Sequence, residues 1–247
     1  MMKARWCIAT VLIMLWPAVY ADTLRVAVAS NFAGTARELA RLFEQKTGHA
    51  LQIISGSTGK HYAQIRNGAP FDVFIAADVR RPALLEEAGV GVPGSRFTYA
   101  RGQLILWSPS PDKVDSEGKV LMRGNFRRLA IANPHLAPYG RAAREVLEAN
   151  KLWDSLQSKI VSGENIAQAF QFVRSENAEL GFVARSQLIR KGKTIEGSWW
   201  HVPRSMYKPI EQQAIQLGGT STAQAFMKFL GSPQARAHIE ANGYDLP

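Results

Sequence analysis

The sequence predicts an α/β fold of two lobes, each a mostly parallel sheet flanked by helices. Short apolar runs alternate with segments of helical period, which is typical of parallel strands covered on both faces. The alternation starts again near position 103, after an irregular stretch at 90–98. A chain of 247 residues is also long enough for two domains of about 100 residues. We therefore place lobe one at 22–102 plus 204–247 and lobe two at 103–203, with a cleft between them.

The elements of lobe one follow from apolar periodicity and from helix boundaries. An apolar run predicts a strand at 24–29, and apolar residues at i, i+3, i+4 and i+7 from Ala36 predict the helix after it. A second helix is bounded by Pro82 and Gly89. That helix is predicted at 81–88, and the remaining predictions for this part of the chain are strands at 51–54 and 73–76 and a helix at 59–67.

Lobe two repeats the pattern, and the chain then returns to lobe one. The stretch 108–124 is rich in Pro, Asp and Gly and predicts a surface connection. Two C-terminal helices, the first apolar on the face of Phe226 and the second opened by Pro233, are expected on lobe one, so the chain would cross between lobes near 99–102 and 202–207. The elements predicted for lobe two are strands at 103–107, 129–132 and 180–184, a helix at 141–150 and a helix marked by Ile166, Ala169, Phe170 and Val173.

The first residues form an export signal. Lys3 and Arg5 precede an apolar run at 6–16, and a small-residue exit ends at Ala21. The run is shorter than the roughly 20 residues of a membrane-spanning helix, so we expect cleavage after Ala21 and a periplasmic protein. The single cysteine, Cys7, would leave with this segment. The mature chain would then have neither a disulfide nor a thiol nucleophile.

The charge pattern does not predict a nucleic-acid-binding protein. The formal net charge is +10, but Arg and Lys are scattered along the chain rather than clustered on one helix or groove. The excess favours long-range attraction of an anionic solute or surface.

Four strand-to-helix junctions carry small, polar or glycine residues. Such residues cap helices, and helix N-termini present unpaired backbone N–H groups that bind anions. Ordinary capping explains each junction alone, but two junctions from each lobe would face one cleft and would suit a single anion. The junctions lie at 29–35, 55–60, 133–140 and 162–166.

Motifs of catalysis are not found. The segment before Lys60 resembles a phosphate-binding P-loop, but Ile54 and His61 stand where that loop needs a glycine and a Ser or Thr. The five histidines show no metal-ligand spacing, and no nucleophile elbow occurs. Asp72 and Asp78 flank a predicted strand, and Asp78 is best explained as a cap of the next turn. The sequence thus predicts a protein that is not an enzyme and has no metal ligands of its own.

Several blocks together resemble the periplasmic molybdate-binding proteins of ABC importers. They include VAVASNF, SGSTGKHYAQIRNGAPFDVFIAAD, GSRFTYARGQLILWS, ANPHLAPYG and GSPQARAHIEANGYDLP, and the resemblance extends over essentially all of the mature chain. The resemblance implies a two-lobed periplasmic binding protein type II fold that closes on molybdate or tungstate. It also implies a monomer without a cofactor that delivers its oxyanion to a membrane permease with a cytoplasmic ATPase.

In that family neutral hydroxyl, amide and backbone N–H groups hold the oxyanion. Some relatives add a tyrosine where this chain has Ala184, so that donor is missing here. Tyr139 is implied to act through its backbone N–H or its hydroxyl, Ile166 through its backbone, and the second contact falls on Thr58 or on the adjacent Ser57. The full set of implied contacts is Ser30, Asn31, Ser57, Thr58, Tyr139 and Ile166.

A site made of donors suits a dianion without protons, whereas phosphate often carries a proton and needs an acceptor. Sulfate or another small tetrahedral oxyanion therefore stays open as the solute, since only cavity size separates it from molybdate. A secreted enzyme acting on a phosphorylated compound is a more distant alternative, and a signalling role at a membrane receptor is a third.

Overall fold

The computed structural model describes residues 23–190 and 193–247. The predicted signal segment 1–21 and its cleavage site lie outside these residues. Two five-stranded sheets flanked by helices form the two lobes, so the α/β two-lobed prediction is confirmed. Within the described residues, no helix has the length and apolar character needed to cross a membrane.

The sheet of lobe one has its most apolar strand in the interior. The first strand, LRVAVA, lies between two parallel neighbours and is buried except at Arg25. An uninterrupted apolar run is what a strand covered on both faces requires. The strands are β1 (Leu24–Ala29), β2 (Leu51–Gly56), β3 (Val73–Ile75), β4 (Phe97–Gly102) and β12 (Ile210–Gln216), in the order β2-β1-β3-β12-β4.

The sheet of lobe two is built in the same way. Its interior strands LAIA and LGFVA are fully buried and pair in parallel. The strands are β5 (Leu104–Ser108), β6 (Leu129–Ala132), β7 (Ile160–Gly163), β8 (Leu180–Ala184) and β11 (Ser198–His201), in the order β11-β5-β8-β6-β7, and a separate antiparallel pair joins β9 (Ile189–Arg190) and β10 (Lys193–Thr194).

Both sheets are mixed, which differs from the mostly parallel sheets that the sequence predicts. β12 pairs antiparallel with β3 and β4, and β5 pairs antiparallel with β8 and β11. Sequence reasoning missed β4, β7, β9, β10, β11 and β12. Polar residues interrupt β4, β11 and β12, and no helical segment separates them from a parallel neighbour. The missed strands are therefore mostly the antiparallel ones.

Helices cover both sheets, and the helices that follow β1, β2, β6 and β7 start at the cleft. The predicted helices are all present, with shifts of a few residues at their ends. The predicted surface connection at 108–124 ends in one short helix, α4. The helices are α1 (Ala33–Thr47), α2 (Thr58–Arg66), α3 (Arg80–Glu87), α4 (Val120–Arg123), α5 (Pro138–Ala149), α6 (Trp153–Leu156), α7 (Ile166–Arg174), α8 (Arg185–Leu188), α9 (Ser221–Leu230) and α10 (Pro233–Ala241).

The chain passes between the sheets in two short segments. The first passage is Gln103 alone, since β4 ends at Gly102 and β5 begins at Leu104. The second runs from the end of β11 to the start of β12 at Ile210. Two buried apolar clusters lie within lobe one, and the cluster of lobe two extends across to Ala29 and Ala77 at the cleft.

Candidate functional site

The site lies where four parallel strands end. β1 and β2 end at Ala29 and Gly56 in lobe one, and β6 and β7 end at Ala132 and Gly163 in lobe two. The carboxyl ends of parallel strands are the usual position of ligands in α/β proteins. The segments that follow these strands meet at one small cavity between the lobes. All the residues that sequence reasoning singled out line it: Ser30, Asn31, Ser57, Thr58, Tyr139 and Ile166.

The cavity is very small and is lined by buried residues. Each of those side chains is less than one-tenth exposed. The cavity volume is about 10 Å³, whereas pockets for organic ligands measure roughly 300–1,000 Å³. With the lobes in this arrangement the cavity has room for a small inorganic group and not for an organic solute.

Three helices begin at the cavity, and each start is formed by a local capping signal. Ser57 caps α2, because its Oγ accepts a hydrogen bond from Lys60 N at 3.3 Å. Asn165 caps α7 through bonds from Ala167 N and Gln168 N at 3.0 and 3.1 Å. Pro138 occupies the first position of α5, where its missing N–H costs nothing.

These helix starts leave backbone donors at the cavity. The first N–H groups of a helix have no partner within the helix. Within the described chain, no acceptor is found for the backbone N–H of Asn31, Thr58, Tyr139 or Ile166. The positive end of each helix dipole adds to this donor character.

Hydroxyl groups add further donors. Ser30 Oγ accepts from Ala167 N at 3.3 Å, and Thr58 Oγ1 accepts from Ala77 N at 3.2 Å. In both bonds the hydroxyl oxygen is the acceptor, so its hydrogen stays available to a group in the cavity. The Ser30 bond also joins the two lobes, since Ala167 belongs to α7.

The side chain of Asn31 is oriented differently from the expectation. Its Nδ2 donates to Gln212 Oε1 at 2.8 Å and to Tyr244 OH at 3.3 Å. Both amide hydrogens are thereby used inside lobe one. What Asn31 presents to the cavity as a donor is its backbone N–H.

Tyr139 also directs its hydroxyl away from the cavity. Its oxygen accepts a hydrogen bond from Gln212 Nε2 at 3.2 Å. The same oxygen lies against Gly102, where an added Cβ would be only 2.1 Å from it. Burial raises the pKa of Tyr139 well above its usual value, so the phenol stays neutral. The backbone N–H of Tyr139, rather than its hydroxyl, is therefore the group that it can offer to an anion in the cavity.

Where some relatives have a tyrosine, this chain has Ala184, and the side-chain amide of Gln187 bonds to its backbone. Ala184 is fully buried at the end of β8, and its N–H donates to Gln187 Oε1 at 2.9 Å. Gln187 Nε2 in turn donates to the carbonyl of Ile166 at 3.1 Å. Gln187 therefore fixes the position of Ile166, whose backbone N–H faces the cavity. Sequence reasoning did not identify Gln187.

Charged groups lie near the cavity but do not line it. Asp78 is paired with Arg81 and lies 3.7 Å from Arg141, and its Oδ1 accepts from Arg81 N at 3.0 Å. The predicted capping role of Asp78 is thus confirmed. Lys60 pairs with Glu164 across the cleft at 3.0 Å. Asp78 and Glu164 are therefore each paired with a cation.

The two lobes touch around the cavity. Gly59 N donates to the carbonyl of Leu136 at 2.8 Å, and Arg81 Nη2 donates to the carbonyl of His135 at 3.0 Å. Gly59 has no room for a side chain, because a Cβ there would lie 2.9 Å from Leu136 O. The described arrangement is therefore the closed one. No cluster of His, Cys, Asp or Glu suited to a metal ion occurs among residues 23–190 and 193–247.

Comparison with known proteins places this geometry in a family. A family model described as bacterial extracellular solute-binding protein matches residues 24–245. The chain is 49% identical over 232 residues to the molybdate-binding protein ModA of Azotobacter vinelandii, covering 93% of this chain and 92% of that protein. It is 43% identical over 240 residues to the molybdate-binding protein ModA of Rhodobacter capsulatus, covering 96% and 93%.

The fold comparison agrees. The structure of the Azotobacter vinelandii periplasmic molybdate-binding protein superposes with a TM-score of 0.88 at 47% sequence identity, covering 91% of this chain and 99% of that one. The resemblance stated from the sequence blocks is confirmed by these relatives.

Proposed function

The chain belongs to the bacterial extracellular solute-binding protein family, and we propose that it captures molybdate, and also tungstate, in the periplasm and delivers it to an ABC permease. The observation that carries this proposal is the cavity wall. It offers backbone N–H and hydroxyl donors from both lobes, and none of the described residues that line it carries a carboxylate or a cation.

This wall suits an anion that is only an acceptor. Molybdate and tungstate are dianions without protons at neutral pH, so each of their oxygens accepts hydrogen bonds and none needs an acceptor from the protein. Backbone N–H groups at helix starts bind such anions without a counter-charge. The contacts we propose are the hydroxyls of Ser30 and Thr58 and the backbone N–H groups of Asn31, Tyr139 and Ile166, with Ser57 as the alternative to Thr58.

We choose molybdate as the candidate solute, rather than another oxyanion, because of the names of its relatives. Proteins 49% and 43% identical to this chain are named for molybdate. Sulfate has the same charge and shape and is smaller, so it is the second candidate. Its discrimination would depend on how closely the lobes approach each other when the cavity is filled. The named relatives are binding proteins, which supports a binding role rather than an enzymatic one.

Calorimetric titration with molybdate, tungstate, sulfate and phosphate, run side by side on the mature protein, tests the proposal. We expect molybdate and tungstate to bind at least 100-fold more tightly than sulfate, and phosphate not to bind. Tighter binding of sulfate than of molybdate would replace the proposed solute. Absence of binding together with turnover of a phosphorylated compound would replace the proposed class.

Export and delivery form the rest of the proposal. We propose that residues 1–21 direct the chain to the periplasm and are removed after Ala21, and that the mature monomer meets a permease with a cytoplasmic ATPase. Mass measurement of the protein recovered from the periplasm tests the cleavage site. Molybdate uptake by cells with and without the gene tests delivery. Equal uptake in both would contradict the transport role.

A further inference from the structure

Gln212 is a fully buried polar side chain that lies behind the cavity and does not line it. It belongs to β12 and is 0% exposed. Burial of an amide is unfavourable unless hydrogen bonds replace those with water. Its Oε1 accepts from Asn31 Nδ2 at 2.8 Å and from Tyr99 OH at 2.9 Å, and its Nε2 donates to Tyr139 OH at 3.2 Å.

These partners belong to both lobes and to two of the loops that form the site. Asn31 follows β1 in lobe one, whereas Tyr139 begins α5 in lobe two. The backbone N–H groups of both residues reach the cavity without an acceptor of their own. One side chain therefore holds, from behind, two donors that come from opposite sides of the cleft.

The arrangement around Gln212 is rigid. Tyr244 OH donates to the carbonyl of Asn31 at 2.8 Å. Phe32 packs against the rings of Tyr99 and Tyr244, with ring centroids 4.7 and 5.4 Å apart. The hydroxyl of Tyr139 is confined by Gly102. The three hydrogen bonds of Gln212 are thus made between groups that have little freedom to reorient.

In the closed arrangement the hydrogen bond from Gln212 to Tyr139 connects the two lobes, because the two residues lie in different lobes. The bonds of Gln212 to Asn31 and Tyr99 lie within lobe one. The interlobe bond therefore aligns α5 with the first loop when the lobes are closed.

We propose that Gln212 is a positioning residue that couples lobe closure to oxyanion binding: without touching the ligand, it sets the relative position of the Asn31 and Tyr139 donors. This inference rests on the proposed function.

The neighbouring residue Gln213 provides a matched control. It is also a buried glutamine of β12, but it points to the other face of the sheet. Its Nε2 donates to Thr98 Oγ1 at 3.0 Å and its Oε1 accepts from Arg96 Nη1 at 2.8 Å. All of these partners lie in lobe one. Gln213→Leu therefore removes two buried side-chain hydrogen bonds within lobe one and leaves the interlobe connection intact.

The test compares Gln212→Leu and Gln213→Leu in molybdate titrations, stopped-flow dissociation and thermal unfolding of the ligand-free protein. We expect Gln212→Leu to bind about tenfold more weakly, mainly through faster dissociation, and Gln213→Leu to bind like the wild type at a similar loss of melting temperature. At saturating molybdate, scattering should give a larger radius of gyration for Gln212→Leu than for the wild type. Equal binding by the two variants would overturn the inference.

Tyr139→Phe gives a second, milder test, because it keeps the ring in the core and removes only the oxygen that bonds Gln212. If Gln212 acts through Tyr139, the double variant should bind no more weakly than Gln212→Leu alone. Losses that add would show that the two residues act separately and would overturn the coupling.

The wild-type titration separates this inference from the proposed function. If the wild type binds none of the four oxyanions, both fail. If it binds one of them and Gln212→Leu binds that ion equally well, the positioning role alone fails.

Discussion

At the scale of single residues, we expect the molybdate affinity to depend on the side chain of Asn31. In the wild type, Asn31 Nδ2 lies 2.8 Å from Gln212 Oε1 and donates to it. Asn31→Asp replaces this donor with an oxygen that faces Gln212 Oε1, and it adds a negative charge beside the cavity. Loss of hydrogen bonds of this kind costs about 0.5–1.5 kcal/mol each, and repulsion of the dianion adds to that. We expect the molybdate affinity to fall more than tenfold in titration.

Asn177→Asp serves as the charge control for this experiment, because Asn177 is exposed in lobe two and does not line the cavity. It should bind molybdate like the wild type. An Asn31→Asp variant that binds as tightly as Asn177→Asp would remove Asn31 from the site.

His61, next to the second loop, predicts a pH dependence of stability. Burial lowers the pKa of His61 below the ordinary histidine value of about 6.5, so the folded protein holds it neutral. Below pH 6.5 the unfolded chain takes up a proton that the folded chain does not, and the free energy of unfolding falls until the pH reaches the lower folded pKa. We expect the loss of stability between pH 7.5 and 5 to be smaller in His61→Leu than in the wild type.

Urea unfolding at the two pH values measures this effect. His135→Gln, at an exposed position, is the control and should keep the wild-type dependence. Equal losses in His61→Leu and the wild type would show that the imidazole does not remain neutral in the folded state.

At the scale of elements, the start of α5 is held close to the end of β6. A Cβ at Gly140 would lie 2.2 Å from the carbonyl oxygen of Ala132, so Gly140→Ala must displace the helix and with it the N–H of Tyr139. We expect lower melting temperature and weaker molybdate binding. Gly34→Ala in α1 meets nothing within 4 Å and should stabilise the protein by about 0.5–1 kcal/mol with unchanged binding.

Thermal unfolding and titration of both variants check this pair. If Gly140→Ala bound molybdate like the wild type, the start of α5 would not be part of the site.

The elements also show what can be predicted from the sequence. β1, β6 and β8 were found because strands buried on both faces are continuous apolar runs. β12, IEQQAIQ, was missed because Gln212 and Gln213 interrupt its apolar pattern. Both glutamines are buried only because distant side chains from other elements satisfy them, and a local pattern contains no information about such partners.

The same distinction applies to the site. The capping residues of α2 and α7 and the proline of α5 are local signals, and they led directly to the loops that line the cavity. The resemblance then narrowed these loops to particular residues. The orientation of the Asn31 amide depends on Gln212 and Tyr244, which are far away in the chain, and so the expectation that this amide faces the anion did not match the structure.

At the scale of the whole molecule, the passage through Gln103 predicts a hinge. A connection of one residue between β4 and β5 concentrates any movement of the lobes into few backbone dihedrals. Because the described arrangement is closed around the cavity, the ligand-free protein should be more open. Small-angle scattering should give a smaller radius of gyration with saturating molybdate than without it. Identical profiles would contradict a closing mechanism.

The absence of ionisable groups from the cavity wall determines how binding depends on protons. Tyr139 is the one titratable residue among the described lining residues, and burial raises its pKa well above the usual value, so its phenol is neutral. Capture of a fully deprotonated dianion by dipoles alone neither takes up nor releases a proton, so proton linkage to the bulk solution vanishes. The heat of molybdate binding should therefore be the same in buffers of different ionisation enthalpy.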